Sequence, residues 1–155
     1  MGIEGIRFST DNPVPAGPLD GLIEAVGWGR RGAAAWAKIC ARSSLLVTAW
    51  EGGRADAWEG GRADEREDER LVAMGRILED GVMCMVYDVA VHPLYQGRGI
   101  GSAVMERIVG HLERQSFQSV GLFAWDKNPV NGPFYERFGF ARVGYGMKFA
   151  LPAEA

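Results

Sequence analysis

Val89-Ala90-Val91-His92-Pro93-Leu94-Tyr95-Gln96-Gly97-Arg98-Gly99-Ile100-Gly101-Ser102 is the stretch on which the reading of this chain turns. An apolar strand ends at Pro93, a turn rich in glycine and arginine follows, and a helical pattern starts at once. The first amides of a helix have no partner inside it and form an anion site. Glycines let a phosphate come close to the backbone. The stretch predicts a pocket for a phosphate-bearing cofactor.

Spacing narrows the choice of cofactor. A Walker loop needs Gly-Lys-Ser/Thr, which residues 96–102 lack. A dinucleotide fingerprint needs glycines at 97, 99 and 102, but 102 is serine. It also belongs early in a chain, after a first strand.

Outward from the turn, the periodicities predict alternating elements. A strand over Ile3 to Ser9 is followed by a Pro/Gly loop from Asp11. One helix starts near Pro18 to Asp20 and stops near Gly27 or Gly29; a second runs over Ala33 to Arg42. Strands are predicted over Ser44 to Glu51, Leu71 to Glu79 and Val82 to Val91. Asp80-Gly81 marks a hairpin between the last two. The near-continuous apolar run of the fourth strand suits a central position. Ile100, Val104, Ile108 and Leu112 form the core stripe of a helix over Gly99 to about Gln115. A fifth strand over Ser119 to Trp125, a short helix over Asn131 to Phe138, and a closing pair over Phe140 to Val143 and Gly146 to Leu151 complete the order. This is an α+β or mixed-sheet design.

Between the second and third strands lies a tandem duplication. Trp50-Glu51-Gly52-Gly53-Arg54-Ala55-Asp56-Ala57 is followed by Trp58-Glu59-Gly60-Gly61-Arg62-Ala63-Asp64-Glu65, with seven of eight positions identical. Repeat architectures need longer and more numerous units. Residues 52–69 are read as an expanded surface loop; the alternative is a lid over a substrate site.

Composition bounds the rest. At 155 residues, 47% apolar and 24% charged, the chain fits one globular domain spanning residues 1–155. A net charge of −3 argues against a nucleic-acid partner. No run of about 18 apolar residues exists, so no membrane span is expected. The first residues carry charges and no apolar signal core, which makes a cytoplasmic location the default. Cys40 and Cys84 sit among apolar residues and read as buried thiols. His92 and His111 lack partners at ligand spacing, so no metal is assigned.

Gln96-Gly97-Arg98-Gly99-Ile100-Gly101 resembles the Q/R-x-x-G-x-G/A signature of the GNAT superfamily of N-acetyltransferases. The preceding Asp88-Val89-Ala90-Val91-His92-Pro93 looks like that family's fourth strand. Asn128, Phe134, Tyr135, Gly139 and Phe140 fall at the spacings of its second motif, N-x-x-A-x-x-F-Y-x-x-x-G-F. Asn131 replaces the alanine, and Pro133 is unusual there. The resemblance covers roughly Leu71 to Leu151; the first 70 residues match in topology alone.

The resemblance implies a GNAT-like fold: a central, mostly antiparallel mixed sheet, splayed between strands 4 and 5 and flanked by helices. It implies acetyl-CoA as acetyl donor, with its pyrophosphate at Gln96, Gly97, Arg98, Gly99, Gly101 and Ser102. Its pantetheine arm would pair with backbone groups of Val89 and Val91. Tyr135 is the candidate general acid for the leaving thiolate, against a packing aromatic. Asp88 is a candidate amine anchor or water-mediated base, against a buried structural carboxylate. In related polyamine acetyltransferases an acidic pair stands where this chain has Tyr87-Asp88. Strand alternation lets both face the substrate only if the strand bulges. Asn128 is read as ordering the cofactor or capping a turn. Trp125, Trp28 and Trp36 are candidates for lining an amine pocket, against core packing.

The reading is an N-acetyltransferase moving an acetyl group to a primary amine, of a small molecule, by direct attack in a ternary complex. No cysteine lies in either motif, which disfavours an acyl-enzyme. The alternatives are a protein or peptide amine acetyltransferase and a non-catalytic acyl-CoA-binding regulator. A homodimer is left open.

Overall fold

The computed structural model describes residues 2–52, 69–125, 127–144 and 147. Five strands form one sheet in the order β1-β2-β3-β4-β5: β1 Ile6–Ser9, β2 Leu45–Glu51, β3 Arg70–Glu79, β4 Met83–Val91 and β5 Ser119–Leu122. The helices are α1 Ala16–Ala25, α2 Ala33–Arg42, α3 Ile100–Leu112 and α4 Asn131–Glu136. Neighbouring strands are antiparallel except β4 and β5. That pair is parallel because α3 carries the chain back across the sheet before β5 begins.

Each face of the sheet has its own core. On one face Ile100, Val104, Met105 and Ile108 of α3 bury against Val47, Ala49, Ile77 and Val86. On the other, Leu19, Leu22 and Ile23 of α1 and Trp36 and Cys40 of α2 bury against Leu46, Trp50, Met74 and Ala90. The apolar positions of α3 recur at helical spacing, so they meet the sheet as one stripe. β3 and β4 are buried from both sides, which is why both read as long apolar runs. Gly75 belongs to this packing. A Cβ there would lie 2.8 Å from Ile108 Cδ1 and 2.9 Å from Val104 Cγ1, so a larger residue would force these α3 side chains to shift. Cys40 and Cys84 are buried free thiols, as their surroundings in the sequence predict.

Local signals account for most boundaries. Asp80 Oδ1 accepts bonds from Val82 N (2.9 Å) and Met83 N (2.8 Å), closing the hairpin with Gly81 at φ +88. β1 starts three residues later than the alternation suggests, because Ile3 to Ile6 form a turn with Gly5 at φ +74. β5 stops at Leu122 rather than Trp125. α3 starts at Ile100, with Gly99 as its left-handed cap, and ends at Leu112. Residues 140–143 form no strand; Phe140 instead folds its amide back to Tyr135 O (3.3 Å) and its ring against Tyr135. The second half of the expected closing pair lies outside the described residues, apart from Met147.

β2 ends at Glu51 opposite Arg70 of β3, so the connection between them runs over residues 52–69. The duplicated segment beyond Gly52 lies outside the described residues. Among the described residues, no helix is long and apolar enough to cross a membrane.

The parting of the sheet positions the site. β4 and β5 pair only from Met83–Ser119 to Val86–Leu122. β4 then continues from Tyr87 to Val91 paired with β3 alone, and Phe123, Ala124 and Trp125 leave the sheet. The expected splay between the fourth and fifth strands is present.

Candidate active site

The glycine turn stands at the end of the free part of β4. A single 3-10 turn, Pro93–Tyr95, bridges strand and loop. Gly97 and Gly99 have φ of +72 and +80, a region costly for other L-residues. Among the described residues, apart from the chain neighbours, nothing lies within 4 Å of a Cβ built on Gly97, and Ile3 Cδ1 lies 4.0 Å from one on Gly99. The surface above them is therefore open to a ligand. The first amides of α3, from Ile100 to Ser102, lie in the helix turn where intrahelical acceptors are lacking.

Gly101 has a different reason to be glycine. A Cβ there would meet Val91 Cγ2 at 3.2 Å and Phe134 Cζ at 3.5 Å. Its smallness brings α3, β4 and α4 together. Gln96 turns back: its Nε2 donates to Val91 O at 3.0 Å, tying the loop to the strand end. The Arg98 guanidinium lies 5.2 Å from the centre of the Tyr95 ring, and Arg98 is exposed. Tyr95 is buried and its hydroxyl donates to Glu51 Oε2.

β4 bulges in the middle of its free stretch. Arg76 lies opposite Tyr87 and Met74 opposite Ala90, so Asp88 and Val89 together face Gly75. Asp88 is the one non-glycine residue with positive φ (+52) among the described residues. The extra residue reverses the alternation. Cys84, Val86 and Val89 pack on the α3 side, whereas Ala90 packs on the α1–α2 side. Tyr87 and Asp88 consequently share the α1–α2 side, the arrangement that a regular strand would forbid.

Two arginines hold Asp88 there. Arg31 Nη1 and Nη2 donate to Asp88 Oδ2 and Oδ1 at 2.6 and 2.7 Å, and Arg76 Nε donates to Oδ2 at 2.6 Å. The Arg76 guanidinium also lies 5.0 Å from the centre of the Tyr87 ring. Burial would raise the Asp88 carboxyl; the bonds from Arg31 and Arg76, and their charges, outweigh it and hold the group below its ordinary value. Arg31 is raised in turn, chiefly by the bond to Asp88. A second buried carboxylate, Asp20, accepts from Arg31 N (2.9 Å) and Trp36 Nε1 (2.8 Å). These bonds lower its pKa, the Arg31 amide contributing most.

Across the parting, α4 carries Tyr135. Its ring packs against Phe134 and Phe140, with centroids 5.0 and 6.3 Å away. Burial pushes its phenol up, so it is protonated at neutral pH. Among the described residues, no hydrogen bond engages its hydroxyl. Asn128 Oδ1 accepts from Val130 N at 3.2 Å and caps the turn before α4. Asn131, at the motif's alanine position, donates from Nδ2 to Trp125 O at 3.0 Å. Trp36 is a core residue, 1% exposed. Trp28 and Trp125 are 37% and 62% exposed, and no ring contact joins them among the described residues.

Arg31, Arg76 and Asp20 carry no motif and were missed by sequence reasoning. Arg76, a charge inside the apolar run of β3, was the one signal available. A charge at such a position needs a buried partner.

The sheet parts beside a glycine turn and a bulged central strand, with Tyr135 packed in the α3-side core. Residues 34–140 match the model of the acetyltransferase (GNAT) family, and the chain belongs to that family. It is 31% identical over 147 residues to the "Histone acetyltransferase TAP1" of Glycine max, covering 94% of this chain and 60% of that one. It is 42% identical over 73 residues to the "Serotonin N-acetyltransferase 2, chloroplastic" of Oryza sativa subsp. japonica, covering 46% of this chain and 35% of that one. The chain spans 56% to 60% of the length of the plant relatives that match 94% of it. Among solved structures, a probable acetyltransferase from Staphylococcus aureus, SA2161, superposes with a TM-score of 0.72 at 25% identity, covering 94% of this chain and 99% of that one.

Proposed function

We propose that this chain transfers an acetyl group from acetyl-CoA to the primary amine of a small molecule, by direct attack in a ternary complex. One observation carries the donor side. Among the described residues, the edge of β4 has no strand partner from Tyr87 to Val91, where Gln96 bonds Val91 O, and leads straight into the glycine turn. One continuous surface thus offers strand-pairing groups at Val89 and Val91 for an amide-bearing arm. It also offers amides at Gly97, Gly99 and the start of α3 for a pyrophosphate. Arg98 supplies charge at its exposed rim; Gln96 and Gly101 shape the loop.

In the reaction, the neutral amine nitrogen bonds to the thioester carbonyl carbon and the carbon–sulfur bond breaks. The departing thiolate takes a proton from the Tyr135 hydroxyl, the new amide loses its extra proton to water, and solvent returns a proton to the Tyr135 phenolate. Tyr135 suits this role because its hydroxyl has no hydrogen-bond partner among the described residues and is protonated. Asp88 suits a structural role better than that of a base. A carboxylate held below its ordinary value by two guanidiniums is a weak proton acceptor. Asn128 acts through the turn that sets α4.

The acceptor side favours a monoamine. Asp88 is already saturated by arginine, and Tyr87 stands where a polyamine enzyme has its second acid. The rice relative is named for serotonin, a small amine, and the soybean relative for histone. Trp28 offers an exposed apolar surface on the α1–α2 connection. We place the reaction in the cytoplasm, without a nucleic-acid or membrane partner.

A thiol-release assay with acetyl-CoA and a panel of amines tests this. Turnover with small monoamines is the expected result. Turnover with peptides alone would replace it with the peptide reading, and acetyl-CoA binding without turnover would leave an acyl-CoA-binding regulator.

A further inference from the structure

The connection from Val26 to Gly32, between α1 and α2, packs on the sheet through Val26, and among the described residues its polar hold on the sheet is Arg31. Arg31 alone among the described residues touches both buried carboxylates of this face. Its backbone amide donates to Asp20 and its guanidinium donates twice to Asp88. The guanidinium also lies over the Trp36 ring, 4.8 Å from its centre. Asp20 takes Gly32 N (3.2 Å) and Trp36 Nε1 as well, so one carboxylate shapes the turn into α2. Asp88 is the left-handed residue of the β4 bulge. The loop and the bulge therefore share one ion pair, whose side chains are 27% and 9% exposed.

The consequence concerns the acceptor. Tyr135 packs with the α3-side core, so the leaving thiolate is met from that side. Tyr87, Asp88 and the α1–α2 connection stand on the opposite side of β4, which leaves that side for the attacking amine. We propose that Arg31 is a positioning residue that clamps the α1–α2 connection onto the β4 bulge and so sets the wall of the acceptor pocket. This rests on the proposed function for its kinetic part and stands apart from it for its structural part. Arg31 touches neither substrate; it acts through the loop it holds, with Trp28 three residues away, and through the bulge it stabilises. A bidentate, planar pair of this kind is not reproduced by lysine.

Two measurements on the full chain test it. Backbone hydrogen exchange, made without any ligand, follows amides 27–32 in the wild type, Arg31→Met and Arg31→Lys. Exchange in that segment should speed at least tenfold in Arg31→Met and less in Arg31→Lys, while α3 amides keep their protection. Unchanged exchange at 27–32 overturns the clamp whether or not any amine is acetylated. The kinetic arm uses 2-phenylethylamine and acetyl-CoA. Arg31→Met should raise KM for the amine at least tenfold and leave KM for acetyl-CoA within twofold. Asp88→Asn should do the same, and the double variant should be no worse than either single one. An equal rise in both KM values, or additive effects of the two substitutions, overturns the positioning role. Absence of turnover by the wild type with every amine defeats the proposed function, while the exchange result still decides the clamp.

Discussion

The glycine turn at 97–101 and the bulge at Asp88 are neighbours on one strand, yet they are built in opposite ways. The turn is local. Its conformation follows from glycines at 97 and 99, and its closure from Gln96 reaching five residues back to Val91. The bulge is assembled from far apart. Its carboxylate is held by Arg76 from β3 and by Arg31, 57 residues away. A local device fails alone when damaged; an assembled one carries damage into every element that contributes to it.

Breaking the bulge should have the largest effect. Asn tolerates the left-handed conformation of Asp88 but removes the charge that two arginines share. Removing one partner of a buried pair costs several kcal/mol, so Asp88→Asn should lose about 3 kcal/mol at pH 7 in urea denaturation. The pH dependence has a definite sign. The folded value of Asp88 is lowered, so its contribution is complete above the unfolded carboxylate value of about 3.9. It is lost as pH falls through the lower folded value. The gap between wild type and Asp88→Asn should therefore stay constant from pH 7 to about 5 and close in stronger acid. A gap that persists unchanged at pH 2 would mean that the charge is not what holds the bulge.

Chemistry comes next. Tyr135→Phe keeps the ring packing against Phe134 and Phe140 and deletes the proton donor. It should lower kcat about hundredfold, with acetyl-CoA affinity unchanged. Because burial raises the phenol, the wild-type kcat should show no decline from this group between pH 7 and 9. An unaltered kcat in Tyr135→Phe would remove the general-acid role.

Damage to the turn should be smaller and confined. Gly99→Val places a branched residue at φ +80, a strain of roughly 1–2 kcal/mol. Acetyl-CoA affinity should fall about tenfold, with kcat at saturation retained. If stability at β3 or α2 fell as well, the turn would not be the local device described here. The smallest effect belongs to the duplicated segment. In the chain-entropy picture, shortening a connection by less than half changes its closure entropy by less than about 0.6 kcal/mol. Deleting Trp58 to Glu65 should leave KM and kcat within about twofold, and a larger loss would favour a lid.

The same contrast explains what could be read in advance. Ile100, Val104 and Ile108 announce a core helix by spacing, Asp80-Gly81 announces a hairpin, and α2 spans the residues that its pattern marks. The parting of the sheet was legible through resemblance, since nothing in the composition of β5 says where its pairing with β4 ends. The roles of individual glycines were legible only in part. Gly97, Gly99 and Gly101 look alike in the sequence, yet two make an open turn and the third makes room for Val91 and Phe134.

The sequence by itself determined the strand-to-helix turn and the order of the elements from β1 to α4, because these rest on residues a few positions apart whose backbone preferences act locally. It indicated the family through motifs resembling those of GNAT acetyltransferases. The tertiary structure alone decided what becomes of Asp88. A carboxylate in a strand can be a base, an anchor or a buried partner. The outcome depends on which charges the fold carries to it, and those come from Arg31 and Arg76, which no spacing in the chain connects to Asp88.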